Sequence, residues 1–499
     1  MVGYQGSFEI DAATRAFLER APGIVVGGKR IAGRSAARIP VFDPASGLPI
    51  AEIVDAAPED VNEAIERAHA AFQDGRWRHR TPAERERILF RFAQLIEDNG
   101  EALAQLETLE QGKSIHLSRL FASAGSAQWL RYAAGLTTKI EGRTMELSMP
   151  PGPDHWTAYT RREPVGVVAG IAPWNFPMAI ATWKFAPALA AGCSVVLKPS
   201  EVTPLSALWL AELALEAGVP EDVFNVVTGT GQGAGAALVS HKLIRKITFT
   251  GSTATGKAIA RAALENMVPT GLELGGKNPA VVLADADLAV AVPGLMGGGF
   301  FNQGQVCSAS SRIYVEEAIH DELVEALAGA IRSLPVGAGL DPAAQVTPLV
   351  SREHKAKVTR YLDDARAKAQ VIAGAPVPEG EGYFVSPHIV LDPAETVALK
   401  REEVFGPVIA ITRVASREEA VALANDTEMG LAASIWTQNL KAAMDLTRQL
   451  DAGTVWVNTH SFIDPALPFG GTKQSGLGRE FGTDWVNAYT ELKSVCIAH

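Results

Sequence analysis

A thiolate is the strongest nucleophile that an ordinary side chain supplies, and this chain has three cysteines: Cys193, Cys307 and Cys496. They lie far apart, with no CxxC and no interleaved histidine spacing, so neither a disulfide framework nor a metal site is expected. Cys193 sits in the apolar run Leu189 to Leu197 and Cys496 near the end, both ordinary packing positions. Cys307 differs. It stands in Phe300-Phe301-Asn302-Gln303-Gly304-Gln305-Val306-Cys307-Ser308, where a glycine and three amides follow an apolar element and indicate a loop. A lone cysteine is more often an inert buried residue, so the case for chemistry rests on its companions.

The first companion is Glu273, in Gly271-Leu272-Glu273-Leu274-Gly275-Gly276-Lys277-Asn278-Pro279. A carboxylate is usually solvated or ion-paired. Between leucines its pKa would be raised and it could act as a general base near neutral pH. Two glycine-rich turns, Thr228 to Gly233 (with Gly231) and Phe249 to Lys257 (with Gly251 and Ser252), each follow an apolar strand and open a helix. Free backbone N–H groups there suit a pyrophosphate. Neither turn matches GxGxxG or GK[ST], so the turns alone are weak signals. Leu197-Lys198-Pro199-Ser200-Glu201 also follows a strand, and its acid could accept from ribose hydroxyls or form a solvated ion pair with Lys198.

The elements that must position these residues read as alternating α/β. Val61, Ala64, Ile65, Ala68 and Phe72 share a helical face after Pro58; Thr81 caps a second helix with Pro82 at its start, Ile88, Phe92, Leu95 and Ile96 inside, and Gly100 at its end. From Pro164, short apolar runs (Val165 to Ala172, Val195 to Leu197, Asn225 to Val227, Lys246 to Phe249) alternate with Ala-rich helical stretches, which predicts βαβ units and a parallel sheet. Pro279 to Leu283, Arg312 to Glu316, Pro407 to Thr412 and Gly453 to Val457 repeat the texture and predict a second α/β domain. Met145 to Arg162, turning at Pro150-Pro151-Gly152-Pro153, reads as a protruding hairpin that the tail Glu491 to Ala498 could join; an oligomerisation arm and an ordinary surface hairpin fit it equally.

With 499 residues, 47% apolar and 20% charged, two large lobes are expected. A net charge of −11 argues against nucleic acid or an anionic membrane as partner. Met1 to Arg15 has no targeting pattern, and the longest apolar stretch, Phe185 to Leu197, holds Pro187 and is too short to span a bilayer. A cytoplasmic enzyme of ordinary composition is the expectation.

Together these segments resemble the aldehyde dehydrogenase superfamily from about Val41 to the end. The matching strings are Pro173-Trp174-Asn175-Phe176-Pro177, Lys198 to Glu201, Phe249 to Thr253, Glu273 to Gly276, Gln303 to Cys307, Glu403-Val404-Phe405-Gly406-Pro407 and Pro468-Phe469-Gly470-Gly471. Within the superfamily, Gln105 to Ser114, Leu136 to Ile140, Ser434 to Leu440 and Thr490 to Cys496 resemble the phenylacetaldehyde dehydrogenases. The resemblance implies an α/β fold: a Rossmann-like NAD-binding domain (1–141 and 163–273), an α/β catalytic domain (274–475), and a small β oligomerisation arm with the C-terminal tail (142–162 and 476–499). It implies a homo-oligomer, with a tetramer favoured over a dimer.

It also implies an activity, the NAD-dependent oxidation of a hydrophobic aldehyde to its acid. Cys307 would be the nucleophile, Glu273 the base that activates water, Asn175 an oxyanion donor, and Lys184 an aid to proton exit. Ile171, Pro173, Trp174, Lys198, Ser200, Glu201, Gly231, Phe249, Gly251, Ser252, Leu274, Glu403 and Phe405 would hold NAD. Phe176, Ile180, Trp183, Phe301 and Ile463 would line the aldehyde tunnel. Glu201 favours NAD over NADP by repelling a 2′-phosphate, while Lys198 pulls the other way. Amino, betaine and aliphatic aldehydes are alternative substrates. A CoA-acylating enzyme needs no base at Glu273, and a thiol esterase or a non-catalytic protein of this fold would not need Cys307, Asn175, Glu273 and Glu403 together. Many relatives carry Tyr where this chain has Met429.

Overall fold

The alternating strands and helices form two largely parallel sheets flanked by helices. The computed structural model describes residues 4–499, so the first three residues of the expected 1–141 segment lie outside the described residues. In the first sheet the parallel strands lie in the order Phe224–Val226, Ser194–Lys198, Val167–Ile171, Ile244–Thr250, Thr270–Glu273. The chain enters at Val167–Ile171, winds outward one way, then returns to wind outward the other way. The reversal opens a crevice at the carboxyl ends of Val167–Ile171 and Ile244–Thr250, where open α/β sheets take their ligands. Antiparallel strands close both edges, Ile24–Val26 beside Phe224–Val226 and Gly476–Leu477 beside Thr270–Glu273.

The second sheet runs Gln370–Ala373, His388–Leu391, Val408–Val414, Arg312–Glu316, Pro279–Val282, Ala432–Trp436, Thr454–Val457, parallel except at its first edge. Only Leu274 to Asn278 separate the end of Thr270–Glu273 from the start of Pro279–Val282. The second sheet therefore offers the beginnings of its strands where the first offers the ends. Cys307 lies just before Arg312–Glu316, and Glu403 just before Val408–Val414.

Helix Pro177–Ala191 is apolar apart from Thr182 and Lys184 and every residue in it is buried, so it packs as an internal rod until Gly192, at φ 96°, ends it. Helix Pro82–Asp98 starts as expected: Thr81 Oγ1 accepts from Glu84 N at 3.3 Å, and Glu84 Oε2 accepts from Thr81 N at 2.8 Å. Its end differs from expectation. Asn99 is the cap, its Nδ2 donating to Leu95 O at 2.8 Å, and this frees Gly100 to begin the next helix, Gly100–Gln111.

The hairpin and the tail meet in one chain. Thr144–Met145 and Thr490–Ala498 both pair antiparallel with Trp156–Pro164, the tail over its whole length from Thr490 opposite Pro164 to Ala498 opposite Trp156. The expected tail segment, 476–499, divides: Gly476–Leu477 joins the first sheet and Trp485–Tyr489 packs on helix Pro177–Ala191 before the tail strand begins. Among the described residues no helix is long and apolar enough to cross a membrane.

Candidate active site

A cavity of about 240 Å³ occupies the crevice at the reversal of the first sheet. Pro173, Trp174 and Asn175 enter it from the loop after Val167–Ile171, and Thr250, Gly251 and Ser252 from the loop after Ile244–Thr250. Leu274 and Gly275 form its floor between the sheets, while Cys307, Glu403 and Phe405 face them from the second sheet.

The Cys307 loop is held by amides. Asn302, Gln303 and Gly304 lie consecutively in the left-handed region (φ 48°, 58° and 69°), and a Cβ on Gly304 would meet the Gly406 carbonyl at 2.1 Å. Asn302 Nδ2 donates to Asn175 O at 3.1 Å, and Asn175 Nδ2 donates to Gln305 O at 3.0 Å. An amide carries two N–H bonds, so the buried Asn175 keeps one for the cavity it lines. Asn278 Nδ2 donates to the Cys307 carbonyl at 2.8 Å. Burial and the Glu403 and Glu273 carboxylates push the half-buried Cys307 thiol up to about 12. Cys193 is buried with Sγ against Tyr489 O, and Cys496 is exposed on the tail strand, so neither is near the cavity.

Glu273 ends its strand with Oε2 unpartnered, and burial raises it well above the ordinary carboxylate range. The Glu480 carboxylate adds to that rise and Lys184 opposes it. Lys184, fully buried, forms an ion pair with Glu480. A Cβ on Gly470, at φ 154°, would meet Glu273 Oε1 at 2.7 Å, which explains the glycine in the Pro468 to Gly471 string.

The remaining candidates for cofactor contact form two groups. Glu403 Oε1 accepts from Gly276 N at 3.0 Å, and a Cβ on Gly275 would meet Glu403 Oε2 at 2.3 Å. Burial pushes the Glu403 carboxyl up to about 7. Trp174 meets Phe405 edge-on at 5.2 Å. Beyond the cavity, Lys198 stands 3.6 Å from the Glu201 carboxylate and its stem lies against Gly235. Lys198, Ser200 and Glu201 thus share the end of Ser194–Lys198 with the helical turn that Gly231 opens, where Thr230 Oγ1 accepts from Gly233 N at 3.1 Å. Ser252 caps helix Thr253–Leu264 by accepting from Thr255 N. Ile171 and Phe249 support the crevice from within the sheet and do not line the cavity.

Residues 31–495 match the sequence model described as the aldehyde dehydrogenase family. The chain belongs to the aldehyde dehydrogenase family. It is 46% identical over 480 residues to a phenylacetaldehyde dehydrogenase of Pseudomonas fluorescens, covering 95% of this chain and 96% of that protein. It is 40% identical over 477 residues to a betaine aldehyde dehydrogenase of Brucella anthropi, covering 95% and 96%. An aldehyde dehydrogenase of Bacillus cereus, solved as its NAD+ complex, superposes with a TM-score of 0.95 at 40% identity, covering 99% of this chain and all of that one.

In this aldehyde dehydrogenase the five tunnel candidates do not line the cavity around Cys307; Phe176, Trp183 and Phe301 belong to an aromatic cluster, and Ile180 and Ile463 pack in the same core. Phe176 and Phe301 stack at 6.0 Å, Trp183 and Ile180 are buried on the same helix, and Ile463 packs against the same core. Sequence reasoning missed Phe121, which meets Phe176 at 5.2 Å and Phe301 at 5.5 Å, and Trp129, which meets Trp183 at 5.2 Å. Phe121 lies in a π-helical stretch, Arg119–Gly125, whose wide turn escapes a 3.6-residue pattern. Asn278, Glu480 and His354 were missed too. Asn278 stood two residues beyond the matched string Glu273 to Gly276 and gave no signal of its own; Glu480 reads as a surface charge. Met429 has a visible job: its sulfur accepts from Ser475 Oγ at 3.7 Å, and the Ser475 carbonyl accepts from Leu274 N at 2.9 Å, beside Glu273.

Proposed function

We propose that this enzyme oxidises a neutral hydrophobic aldehyde, phenylacetaldehyde or a close analogue, to its carboxylic acid with NAD. One observation carries the reading: Cys307 opens onto a cleft that also receives the spare N–H of Asn175, with the unpartnered Glu273 Oε2 behind Leu274. The fit to NAD rests on this chain's own geometry. The cleft lies at the reversal of a doubly wound sheet, Gly231 offers an open turn where an added Cβ would meet nothing, and two capped helix starts lie at strand ends nearby.

Cys307 Sγ adds to the aldehyde carbon to form a thiohemiacetal, and its proton leaves to a base. Asn175 Nδ2 and the Cys307 backbone N–H donate to the oxyanion; losing one such donor lowers the rate roughly 100- to 1,000-fold. When bound, NAD would supply the oxidant, its oxidised ring taking the hydride from the thiohemiacetal carbon so that the carbonyl re-forms as a thioester on Cys307. Glu403 and Phe405 orient the ribose and the ring, Trp174 buttresses Phe405, and Lys198, Ser200 and Glu201 hold the distal ribose. Glu273 then takes a proton from water, whose oxygen displaces the Cys307 thiolate from the thioester and releases the acid. The buried pair of Lys184 with Glu480, whose ammonium favours ionised Glu273, supports a part for Lys184 in that proton's exit.

The aromatic cluster of Phe176, Phe301, Trp183 and Ile180, with Ile463, supports a hydrophobic substrate, because stripping water from a charged one without a partner is unfavourable. Betaine aldehyde is the second reading, supported by the relatives at 40% identity and by the affinity of aromatic faces for quaternary ammonium groups. Residues 1–141 and 163–273 serve as the NAD-binding domain and 274–475 as the catalytic domain. The arm, 142–162 with the tail strand, exposes Met145, Met149, Leu492 and Ile497, which supports coverage by further copies in a homotetramer. Free thiols support the cytoplasm as its compartment.

Initial rates with phenylacetaldehyde, propanal, aminobutyraldehyde and betaine aldehyde, each with NAD, NADP and CoA, test the reading. The highest kcat/KM is expected for phenylacetaldehyde with NAD and without CoA. A preference for betaine aldehyde, or a requirement for CoA, would overturn it. Cys307→Ala is expected to make no NADH while binding NAD as before.

A further inference from the structure

The string Gln105 to Ser114 marks relatives by sequence but has no part in the chemistry above, yet it folds into a buried charged device against the aromatic cluster. Glu107 and Lys113 are both fully buried and joined at 2.6 Å. The other Glu107 oxygen, Oε2, accepts from Met178 N at 3.0 Å, in the first turn of helix Pro177–Ala191. That helix follows Asn175 and Phe176 directly and carries Ile180, Trp183 and Lys184. The Lys113 ammonium stands 4.3 Å from the centroid of the Phe176 ring. Gly112, at φ 92°, turns the chain back so that Lys113 reaches Glu107, and a Cβ there would meet Pro44 at 2.9 Å. Glu110, on helix Gly100–Gln111 with Glu107, anchors that helix to a second one, its carboxylate accepting from Leu205 N at 2.7 Å and Ser206 N at 3.1 Å at the start of helix Leu205–Ala217.

Burying two charges is unfavourable against a well-packed apolar pair of similar size, so an ion pair at zero exposure is poorly explained by stability alone. Its directionality is a better account. The carboxylate fixes one backbone N–H and one ammonium, and the ammonium fixes one face of one ring, which apolar packing would leave free to shift. We infer that Glu107 and Lys113 are positioning residues that hold Phe176 and the first turn of helix Pro177–Ala191, and thereby set the fit of an arylalkyl aldehyde. This rests on the proposed role of Phe176 as a wall of the aldehyde tunnel.

The double variant Glu107→Gln/Lys113→Met removes both charges and keeps a side-chain carbonyl for Met178 N. The expected result is a KM for phenylacetaldehyde raised about tenfold, the loss of one desolvated cation–ring contact. For propanal, kcat/KM and the KM for NAD stay within about threefold, since neither contact touches a small substrate or the cofactor. Lys113→Arg, which keeps a cation over the ring, is expected to hold the wild-type ratio of phenylacetaldehyde to propanal. An unchanged ratio in the double variant, or an equal fall for both aldehydes, overturns the inference. If the double variant does not fold, Lys113→Met alone, which removes the cation from the Phe176 ring and leaves Glu107 to accept from Met178 N, carries the same expectation and the same refutation. A wild-type enzyme that does not oxidise phenylacetaldehyde refutes the functional reading; a wild type that does, with a variant ratio unchanged, refutes this inference only.

Discussion

Asn278 holds the backbone of Cys307: its Nδ2 donates to the Cys307 carbonyl at 2.8 Å. The same side chain donates to Ala309 O at 3.0 Å and accepts from Ala432 N at 3.0 Å, so one amide ties the proposed nucleophile's loop to two strands of the second sheet. Asn278→Ala leaves the Cys307 carbonyl and the Ala432 N–H unpartnered, each worth about 1–3 kcal/mol when buried, while Ala309 O keeps its bond from Ser311 N. The expected outcome is a lower Tm with a folded protein, and a kcat reduced about 100-fold, the typical result of an ångström-scale misplacement of a reacting group. Differential scanning calorimetry and steady-state rates check it together. A variant with normal kcat would show that Cys307 needs no such support.

Glu480 faces Glu273 as a like charge, and the pH profile should register it. Burial, and after it the Glu480 carboxylate, raises Glu273, while Lys184 lowers it. A general base works only when deprotonated, so hydrolysis of the acyl-enzyme should rise with pH through the raised Glu273 pKa. Glu480→Gln removes the like charge and leaves Lys184 without its counter-ion. Both changes favour ionised Glu273, so the limb is expected to move to lower pH. Single-turnover hydrolysis measured across pH reads this directly. A limb that stays or moves to higher pH would remove Glu480 from the electrostatics of the base.

The strands and their crossovers were readable because buried parallel strands leave short apolar runs: Val195 to Leu197 and Arg312 to Glu316 lie within the observed strands Ser194–Lys198 and Arg312–Glu316. The end of helix Pro82–Asp98 was misread because an asparagine capped it by a side-chain bond where a glycine was expected. Cys307 and Glu273 stood out by chemistry and by their matched strings. The residues that support them did not. Glu480 and Lys184 lie far apart in sequence and pair only through folding, and Phe121 joins Phe176 and Phe301 across three separate elements. Periodicity carries information about a face of one element, and little about which distant side chain meets it.

Glu201 offers a test of cofactor choice. Its half-exposed carboxylate stands 3.6 Å from Lys198 at the end of Ser194–Lys198, and burial lowers the Lys198 pKa while Glu201 supports its charge. A 2′-phosphate brought here would meet the carboxylate as a like charge. Glu201→Ser removes that repulsion and releases the Lys198 ammonium toward the phosphate. The ratio of kcat/KM for NAD to that for NADP is expected to fall about tenfold, a figure that allows for solvent screening at a partly exposed site. Steady-state rates with both cofactors at fixed aldehyde decide it, and an unchanged ratio would mean that the distal ribose is held elsewhere.

His354 braces the second cofactor contact through a backbone that only a strong partner would hold. Phe405 takes φ 59°, unusual for an aromatic residue, and its carbonyl accepts from His354 Nε2 at 2.7 Å. The imidazole also meets Trp174 edge-on at 4.9 Å, so one ring supports both aromatic walls of the cleft. Burial pushes its pKa down to about 4, so the ring is neutral at working pH, with its proton on Nε2. His354→Ala removes a buried hydrogen bond worth about 1 kcal/mol and one aromatic contact of similar size, and the KM for NAD is expected to rise about tenfold or more. His354→Gln, whose amide can still donate to the Phe405 carbonyl, should recover part of that loss. Because Nε2 carries its proton in both the neutral and the cationic ring, the KM for NAD should show no step near pH 6.5 from this residue. Such a step, abolished by His354→Ala, would mean that the ring charges in the working enzyme and that its support of Phe405 is electrostatic.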